Sequence, residues 1–451
     1  MNGYLQDCYS SSWNYGDTRA IVTHEIDFAD SIVHGEFLNF YKPALDRMKF
    51  ADGAIPVYDF PVNLVLGIWA VPMYLLGGSE YNASMTVKTI YGKSLFFFAF
   101  LLCTFLVYKI CRELELDEDR SLWGAFIYFT STMAINSICL IGNCDALGAA
   151  LTLPAILAYI RKKDLQCFLW FMIAFPFKQH AAFIYLPLLL LRNKNIFRVA
   201  GRFIVMIVFN TICNIPYMYA PEFLFTKNNF SKFMFSKLVE IKIPFLADAV
   251  PIFVVLYGLL CVYCYMHEYP QDKHEQNSLT LIIASLGIGI TLSTIKVHNQ
   301  WFLQLVPYLA IACVYYGKAF KDVMMFETIG GISLLGYQYL YLNLNYSTWH
   351  AIDMLMYKLL INPADVNASA KFPMENGLAS GLSELTISGM KDGFGAVYVV
   401  CMIALIFMLC KPKNVDTQSR INIRPYALTR MFMNFAMCYV PLMKLVIEVL
   451  R

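Results

Sequence analysis

The sequence is dominated by apolar runs that recur along most of the chain and are separated by polar connections. A hydrocarbon core of about 30 Å is crossed by about 20 helical residues, and many of the runs approach that length. Of the 451 residues, 58% are hydrophobic and only 15% are charged, which is too apolar for a soluble domain of this size. We therefore predict an all-α fold, a polytopic transmembrane helix bundle of about 12–13 membrane segments. The runs lie near 61–77, 94–111, 121–140, 143–160, 165–177, 181–191, 199–218, 249–266, 278–295, 301–317, 326–343, 393–410 and 432–450.

Charge and cysteine usage narrow the possible classes of function. The net charge of +3 is too small to indicate a nucleic-acid partner. The 13 cysteines are scattered and lie mostly inside apolar runs, where cysteine behaves as a small hydrophobic residue. Neither a disulfide framework nor a zinc site is expected. Acidic residues are spread over the loops without close spacing on one element, so the sequence predicts no metal site and no cofactor.

The first sixty residues differ from the rest of the chain, because they contain neither a spanning run nor a signal-peptide pattern. They are polar, aromatic and acidic. We expect 1–60 to form an exoplasmic loop with short juxtamembrane helices, in which Glu25 and Asp27 lie on a solvated face. The remaining predicted divisions are a transmembrane core at 61–343, an exoplasmic loop at 344–391, and C-terminal membrane helices with a basic cytoplasmic segment at 392–451.

Basic clusters orient the predicted bundle, since cytoplasmic connections of membrane proteins carry an excess of Lys and Arg. Such clusters lie at 161–163, 192–202 and 411–424. If these are cytoplasmic, the polar breaks between the runs fall on the exoplasmic face; they lie at 142–145, 177–180, 219–248 and 296–300. Upstream of residue 112, two full crossings at 61–77 and 94–111 would place the first sixty residues in the cytoplasm. An exoplasmic start therefore requires either a re-entrant segment at 61–77 or a further crossing within 78–93.

Four polar motifs are predicted to lie at the exoplasmic face, and a fifth motif, at 57–76, runs into the part of the chain whose topology stays open. In chain order they read NYGDTRAIVTHEIDFADSIVHGEFLNFYKP, VYDFPVNLVLGIWAVPMYLL, IGNCDAL, FPFKQHAAFIYLPLLLL and KVHNQWFLQLVPYL. In order and spacing they resemble the first exoplasmic loop, the Tyr-Pro helix entry, the Gly-Gln-x-Asp/Asn turn, the Lys-Gln/Pro helix break and the Val-His-Glu-Arg-type turn of the GT-C superfamily of membrane glycosyltransferases. The resemblance runs from about residue 14 to 310.

Three positions depart from the family pattern. Asn143 stands in the place of the family's Gln, and Asn299 and Gln300 stand where relatives often carry charged residues. The sequence also has no apolar run ahead of the first loop, where the family has a transmembrane helix. These departures concern the phosphate ligands and the topology of the start, and they leave the order of the motifs intact.

The resemblance implies an inverting, mannosyltransferase-like enzyme of the cell envelope. Such an enzyme moves a mannose- or glucose-like hexose from a polyprenyl-phosphate carrier to a lipid, glycan or protein acceptor. Lys-, Ile- and Phe-rich, Arg-poor usage favours a bacterial plasma membrane; in a eukaryote the corresponding site is the ER membrane. In some relatives a divalent cation takes part, and that alternative stays open.

Transfer from a phosphate-linked sugar needs a base for the acceptor hydroxyl and cations for the departing phosphate. The resemblance makes Asp17 the candidate base, with Asp27 and Asp30 as alternatives. By residue type alone, Asp17 is more simply the cap of a helix that begins at Thr18. Ionised donors suit the phosphate. The candidate substrate-binding residues are Lys178, Gln179, His180, Lys296, His298, Asn143, Asp145, Tyr58 and Arg19. For Lys178, Gln179 and His180 the competing structural role is snorkelling to the interface, and for Lys296 and His298 it is a plain interfacial turn. For Asn143 and Asp145 it is loop anchoring, and for Tyr58 it is packing.

Two other functions stay open on the sequence alone. A secondary transporter or a lipid-linked sugar flippase also carries ionisable residues in broken helices, but such proteins often contain paired repeats, and none is visible in this chain. A glycan polymerase or ligase would share the face and the lipid substrate, and would carry its chemistry in a different large loop, such as 344–391. Trp349, His350 and Asp353 lie in that loop but form no catalytic pattern.

Overall fold

The computed structural model describes residues 24–42, 58–77, 85–135, 137–138, 142–245, 248–294, 299–316, 320–341, 384–410, 425, 427–432 and 434. Within this part of the chain the fold is a helix bundle, with one short antiparallel β-hairpin. The helices are α1 His24–Val33, α2 Phe60–Leu75, α3 Met85–Glu113, α4 Glu118–Phe129, α5 Thr132–Ile135, α6 Asp145–Ile160, α7 Asp164–Phe177, α8 His180–Arg192, α9 Ile196–Asn214, α10 Pro221–Glu240, α11 Ile252–Met266, α12 Lys273–Thr294, α13 Val306–Tyr315, α14 Phe320–Tyr341 and α15 Glu384–Cys410. The hairpin pairs β1 Lys242–Phe245 with β2 Asp248–Pro251, and 3-10 turns lie at Phe37–Asn39, Ile215–Tyr217 and Asn299–Gln304.

Apolar helices make this an integral membrane protein, and the predicted all-α bundle is confirmed. Three helices in the described part are long and apolar enough to cross a membrane: Tyr91–Glu113, Ile196–Tyr217 and Lys273–Thr294. Shorter apolar helices accompany them. Of the apolar part of α12, 78% is buried inside the bundle, against 11% for the α9 segment. Helix α12 is therefore central, whereas α9 is peripheral and presents most of its surface outward.

Local side-chain chemistry sets several helix ends. The Asp117 carboxylate accepts the N–H of Arg120 at 2.7 Å and caps α4. The Asn195 amide oxygen caps α9 by accepting the N–H groups of Phe197 and Arg198. Helix α7 ends where Lys178 takes an extended conformation, so the predicted break between the two half-length runs is present.

One end of the bundle is held by three ion pairs between different connections, and we call it the basic end. The pairs are Arg161 with Glu113 at 2.7 Å, Lys273 with Glu115 at 2.5 Å, and Arg192 with Asp164 at 2.9 Å. Helix α6 leads from this end to the opposite one. Its 16 residues span about 24 Å at 1.5 Å per residue. By the positive-inside rule the basic end is predicted to be cytoplasmic.

The predicted run at 121–140 is not one continuous helix, and this expectation is wrong. Helix α4 ends at Phe129 and α5 begins at Thr132. The break binds a buried ion pair between Glu327 and Arg430. The Ser131 hydroxyl donates to Glu327 at 2.7 Å, and Arg430 donates to Thr130 at 3.3 Å. Satisfying a buried charge pair requires such hydrogen bonds, which compete with a continuous helix.

The amino-terminal segment packs onto the bundle through α1. The Phe28 ring lies so close against Gly67 of α2 that a Cβ atom at this position would overlap the ring. An aromatic cluster joins this segment to the start of α2 and to the turn before α10; it comprises Phe28, Phe40, Tyr41, Tyr217 and Phe223. Because α1 packs inward in this way, Glu25 and Asp27 are buried, and the expected solvated face is wrong for both. Burial, together with the neighbouring Asp27, raises the pKa of the Glu25 carboxyl well above its usual range.

Candidate functional site

A buried ion pair lies at the end of the bundle opposite the basic end. Asp145 is the first residue of α6 and is fully buried. The Nζ of Lys178, in the break between α7 and α8, lies 3.2 Å from its Oδ1. The Lys178 side chain is only 11% exposed. A charge pair in such surroundings is costly unless further hydrogen bonds support it, so its neighbours decide what the site can do.

Two amides hold Asp145 in position. The Asn143 side-chain oxygen accepts the Asp145 backbone N–H at 2.9 Å, an Asx turn that starts α6. The Gln304 amide donates to the Asp145 backbone carbonyl at 2.7 Å. Gln304 ends the 3-10 turn Asn299–Gln304, so this contact ties the KVHNQWFLQ motif to the IGNCDAL motif.

Aromatic rings surround the Lys178 ammonium group. Its Nζ lies 5.5 Å from the centre of the Tyr58 ring and 5.7 Å from that of Trp301, both within cation–π range. Trp301 also meets the buried His180 ring edge-on, with centroids 4.9 Å apart. The ammonium group can bind an anionic group of a ligand, while the neighbouring rings can pack against an uncharged part of the same ligand.

Gly148 leaves the space that the Lys178 stem occupies. A Cβ atom at position 148 would lie 2.8 Å from Lys178 Cγ and 3.0 Å from Gln304 Nε2. Any larger residue would displace both side chains.

We refer to Tyr58, Asn143, Asp145, Lys178, His180, Trp301 and Gln304 together as the polar centre.

A second polar group attaches α10 to the bundle near Tyr58. Asp59 is the residue that immediately precedes α2, and its carboxylate pairs with Lys227 of α10. It also accepts a hydrogen bond from Asn214 at 3.1 Å. The Asn214 amide oxygen in turn accepts the N–H of Phe60 at 2.9 Å. These contacts attach α10 and the end of α9 next to Tyr58.

The structure brings together five of the predicted substrate-binding residues, which are Tyr58, Asn143, Asp145, Lys178 and His180. It adds Gln304 and Trp301, which sequence reasoning missed although both lie in the KVHNQWFLQLVPYL motif. Gln179 is exposed, and no side-chain hydrogen bond of this residue occurs within the described part. The candidates outside the described residues are Asp17, Arg19, Lys296 and His298.

Metal ligands do not cluster in the described part of the chain. No group of three or more His, Cys, Asp or Glu side chains is placed to hold an ion there. Cys261 and Cys264 have a spacing of three within α11, but both are free thiols in an apolar helix. The polar centre therefore offers a cation and hydrogen-bond donors rather than a set of metal ligands.

Comparison with known proteins adds little to this geometry. No family model matches the chain, and no curated protein matches it. Among solved structures, it is similar to the crystal structure of ArnT from Cupriavidus metallidurans in the apo state. The identity is 11% and the TM-score 0.37, over 78% of this chain and 66% of that one, just under two thirds of its length. A similarity at this level assigns neither a family nor an activity to the chain.

Proposed function

We propose that this protein is a GT-C-type membrane glycosyltransferase. It would transfer a hexose from a polyprenyl-phosphate carrier to an acceptor at the membrane face opposite the basic end. The observation that carries the proposal is the meeting of Tyr58, Asp145, Lys178 and Gln304, which come from four separate helix ends or breaks in the chain. Ionisable residues in such breaks are expensive inside a membrane and usually serve a function.

Lys178 is the proposed cation for the carrier phosphate. An ammonium group makes stronger hydrogen bonds to an ionised oxygen than a neutral donor does, and it would stabilise the charge that develops on the leaving phosphate. Asp145 would position Lys178 rather than touch the substrate, because it is fully buried behind the lysine. Tyr58 and Trp301 would flank the bound sugar phosphate.

Asp17 is the proposed base, on the resemblance of the NYGDTR stretch to the family's first loop. It would accept the proton of the acceptor hydroxyl as that oxygen attacks the anomeric carbon and the carrier phosphate leaves. A single displacement of this kind inverts the configuration at that carbon. Arg19, Lys296 and His298 are proposed as further phosphate contacts, on the same resemblance.

The test is transfer by purified protein in proteoliposomes supplied with a panel of radiolabelled polyprenyl-phosphate hexoses and envelope acceptors. We expect labelled product with at least one donor, and loss of product for Asp17→Asn at unchanged expression and thermal stability. Lys163→Gln at the exposed basic end serves as the matched control and should keep wild-type turnover. Wild-type turnover by Asp17→Asn would remove Asp17 from the mechanism. Movement of the lipid between leaflets without any transfer would favour a flippase instead.

A further inference from the structure

A cavity lies at the basic end, about 24 Å along α6 from the polar centre. Its volume is about 240 Å³, and it is formed by α6, α7, α8 and α9. Two buried tyrosines and four charged residues contribute to its lining. The aromatic and charged residues of this lining are Tyr159, Asp164, Tyr185, Arg192, Arg198 and Arg202.

The cavity carries an excess of positive charge. Three guanidinium groups face one carboxylate, that of Asp164. Arg192 is fixed within the protein, since it pairs with Asp164 at 2.9 Å and donates to the Tyr159 carbonyl at 2.8 Å. Its guanidinium stacks 3.7 Å above the Tyr159 ring. In the described part of the chain, neither Arg198 nor Arg202 has a carboxylate within ion-pair distance.

Arg198 and Arg202 lie one turn apart on α9 and reach the same cavity. Arg198 is exposed, and Arg202 is half-buried beside the Tyr185 hydroxyl. Tyr185 itself is buried and is held by stacking on Phe171, with ring centroids 4.7 Å apart. Arg202 also lies over the Phe168 ring, 5.9 Å from its centroid. Two guanidinium groups without a carboxylate partner among the described residues, beside an aromatic wall, suit a phosphate group, which arginine binds through paired N–H donors.

Helix α9 indicates where the phosphate would come from. Beyond the cavity it presents an outward apolar surface, on which Val205, Val208 and Ile212 are each about half exposed. The cavity mouth lies at the level of a charged helix end, and this surface continues from it along the membrane-spanning part of the helix. A lipid whose headgroup occupied the cavity could lay its acyl chain along α9.

We propose that this cavity binds the phosphate of an anionic membrane lipid, held by Arg198 and Arg202 with Arg192 as a fixed third guanidinium. The site is separate from the polar centre and does not depend on the glycosyltransferase proposal. It predicts that the protein selects an anionic lipid at the leaflet in contact with the basic end.

The test uses the full chain in detergent and measures the lipid retained by native mass spectrometry after exchange into mixed micelles. The probes are phosphatidylglycerol, phosphatidylcholine and inorganic phosphate alone. The wild type should retain phosphatidylglycerol over phosphatidylcholine. The double variant Arg198→Gln/Arg202→Gln should lose about tenfold in retention for each guanidinium removed. Lys163→Gln, which removes a charge at the same end outside the cavity lining, should retain it like the wild type.

Equal retention by the double variant and the wild type would overturn the site, and so would equal retention of the two lipids. Retention of inorganic phosphate by the wild type, with no retention of phosphatidylglycerol, would overturn the lipid assignment and identify a free anion as the ligand. Arg198 is exposed, so the single variant Arg198→Gln provides a version of the test in which misfolding plays no part. Loss of transferase activity in the Asp17 experiment has no bearing on any of these results.

Discussion

Lys178 combines two roles that a single substitution cannot separate. It neutralises the buried Asp145 carboxylate at 3.2 Å, and it is the proposed phosphate ligand. Lys178→Met would leave that carboxylate buried without its cation, which costs about 3–5 kcal/mol. The single variant should therefore lose both thermal stability and transfer.

The double variant Asp145→Asn/Lys178→Met separates the two roles. It removes both charges, and neutral replacement of a buried pair is often close to neutral in stability. We expect its melting temperature to recover towards the wild type while transfer stays undetectable in the proteoliposome assay. Lys178→Arg keeps the charge and should retain part of the activity. Recovery of transfer in the double variant would reduce Lys178 to a purely structural residue.

Glu25 provides a prediction about pH. Burial and the neighbouring Asp27 raise the pKa of its carboxyl in the folded protein well above the ordinary value of about 4.3. The folded state then holds the proton more tightly than the unfolded chain. The stabilising contribution of the protonated Glu25 carboxyl is therefore fully present at a pH below its pKa in the unfolded chain. This contribution is lost as the pH rises through the raised pKa of the folded state.

The measurement is the melting temperature as a function of pH for wild type and Glu25→Gln. The variant is neutral at every pH, so its advantage over the wild type should grow as the pH rises. Glu36→Gln, at an exposed position in the same segment, is the matched control and should follow the wild type. Parallel profiles for wild type and Glu25→Gln would contradict the raised pKa.

At the scale of elements, polar contacts attach α10 to the residue that precedes α2. Asp59 pairs with Lys227 and also accepts from Asn214. Asp59→Asn removes the charge on which the pair depends and should weaken the anchoring of α10 by about 1–3 kcal/mol. Hydrogen exchange of α10 amides should then become faster, with a smaller change elsewhere in the bundle.

The control for α10 is Lys237→Gln, which breaks a pair with Glu240 inside the same helix. That pair is partly exposed and spans three residues, so its loss should cost about 0–1 kcal/mol and leave exchange nearly unchanged. Equal acceleration in both variants would mean that the Asp59 contact has no special role in attaching the helix.

At the scale of the whole molecule, the two ends of α6 should face opposite sides of the membrane. Cysteines placed at the exposed positions Lys163 and Gln179 should react with a membrane-impermeant maleimide from opposite sides of sealed vesicles. The parent protein sets the background, because every cysteine that the structure describes is buried or half-buried. We expect Lys163→Cys to label from the cytoplasmic side. Labelling of both cysteines from the same side would refute the orientation, and with it the exoplasmic site.

Much of this organisation is predictable from the amino-acid sequence, because it follows from local physics. Long apolar runs must become helices in a membrane, where each backbone polar group has to be satisfied within its own segment. The break at Lys178 and the helix start at Asp145 were predicted for the same reason, since polar residues interrupt apolar runs there. Expectations from the sequence were wrong where contacts with residues distant in the chain decide the structure. Examples are the burial of Glu25 by packing of α1 and the helix break at Ser131, whose hydroxyl donates a hydrogen bond to Glu327.

The sequence by itself determined the helical class, the positions of most helices and the motifs in which polar residues would be found. Only the tertiary structure decided that Asp145 pairs with Lys178, that Gln304 and Trp301 complete their surroundings, and that Arg198 and Arg202 open onto one cavity. The physical reason is range. Helix formation is governed by residues a few positions apart, whereas the partner of a buried charge is chosen by packing between segments that can lie more than a hundred residues apart in the chain.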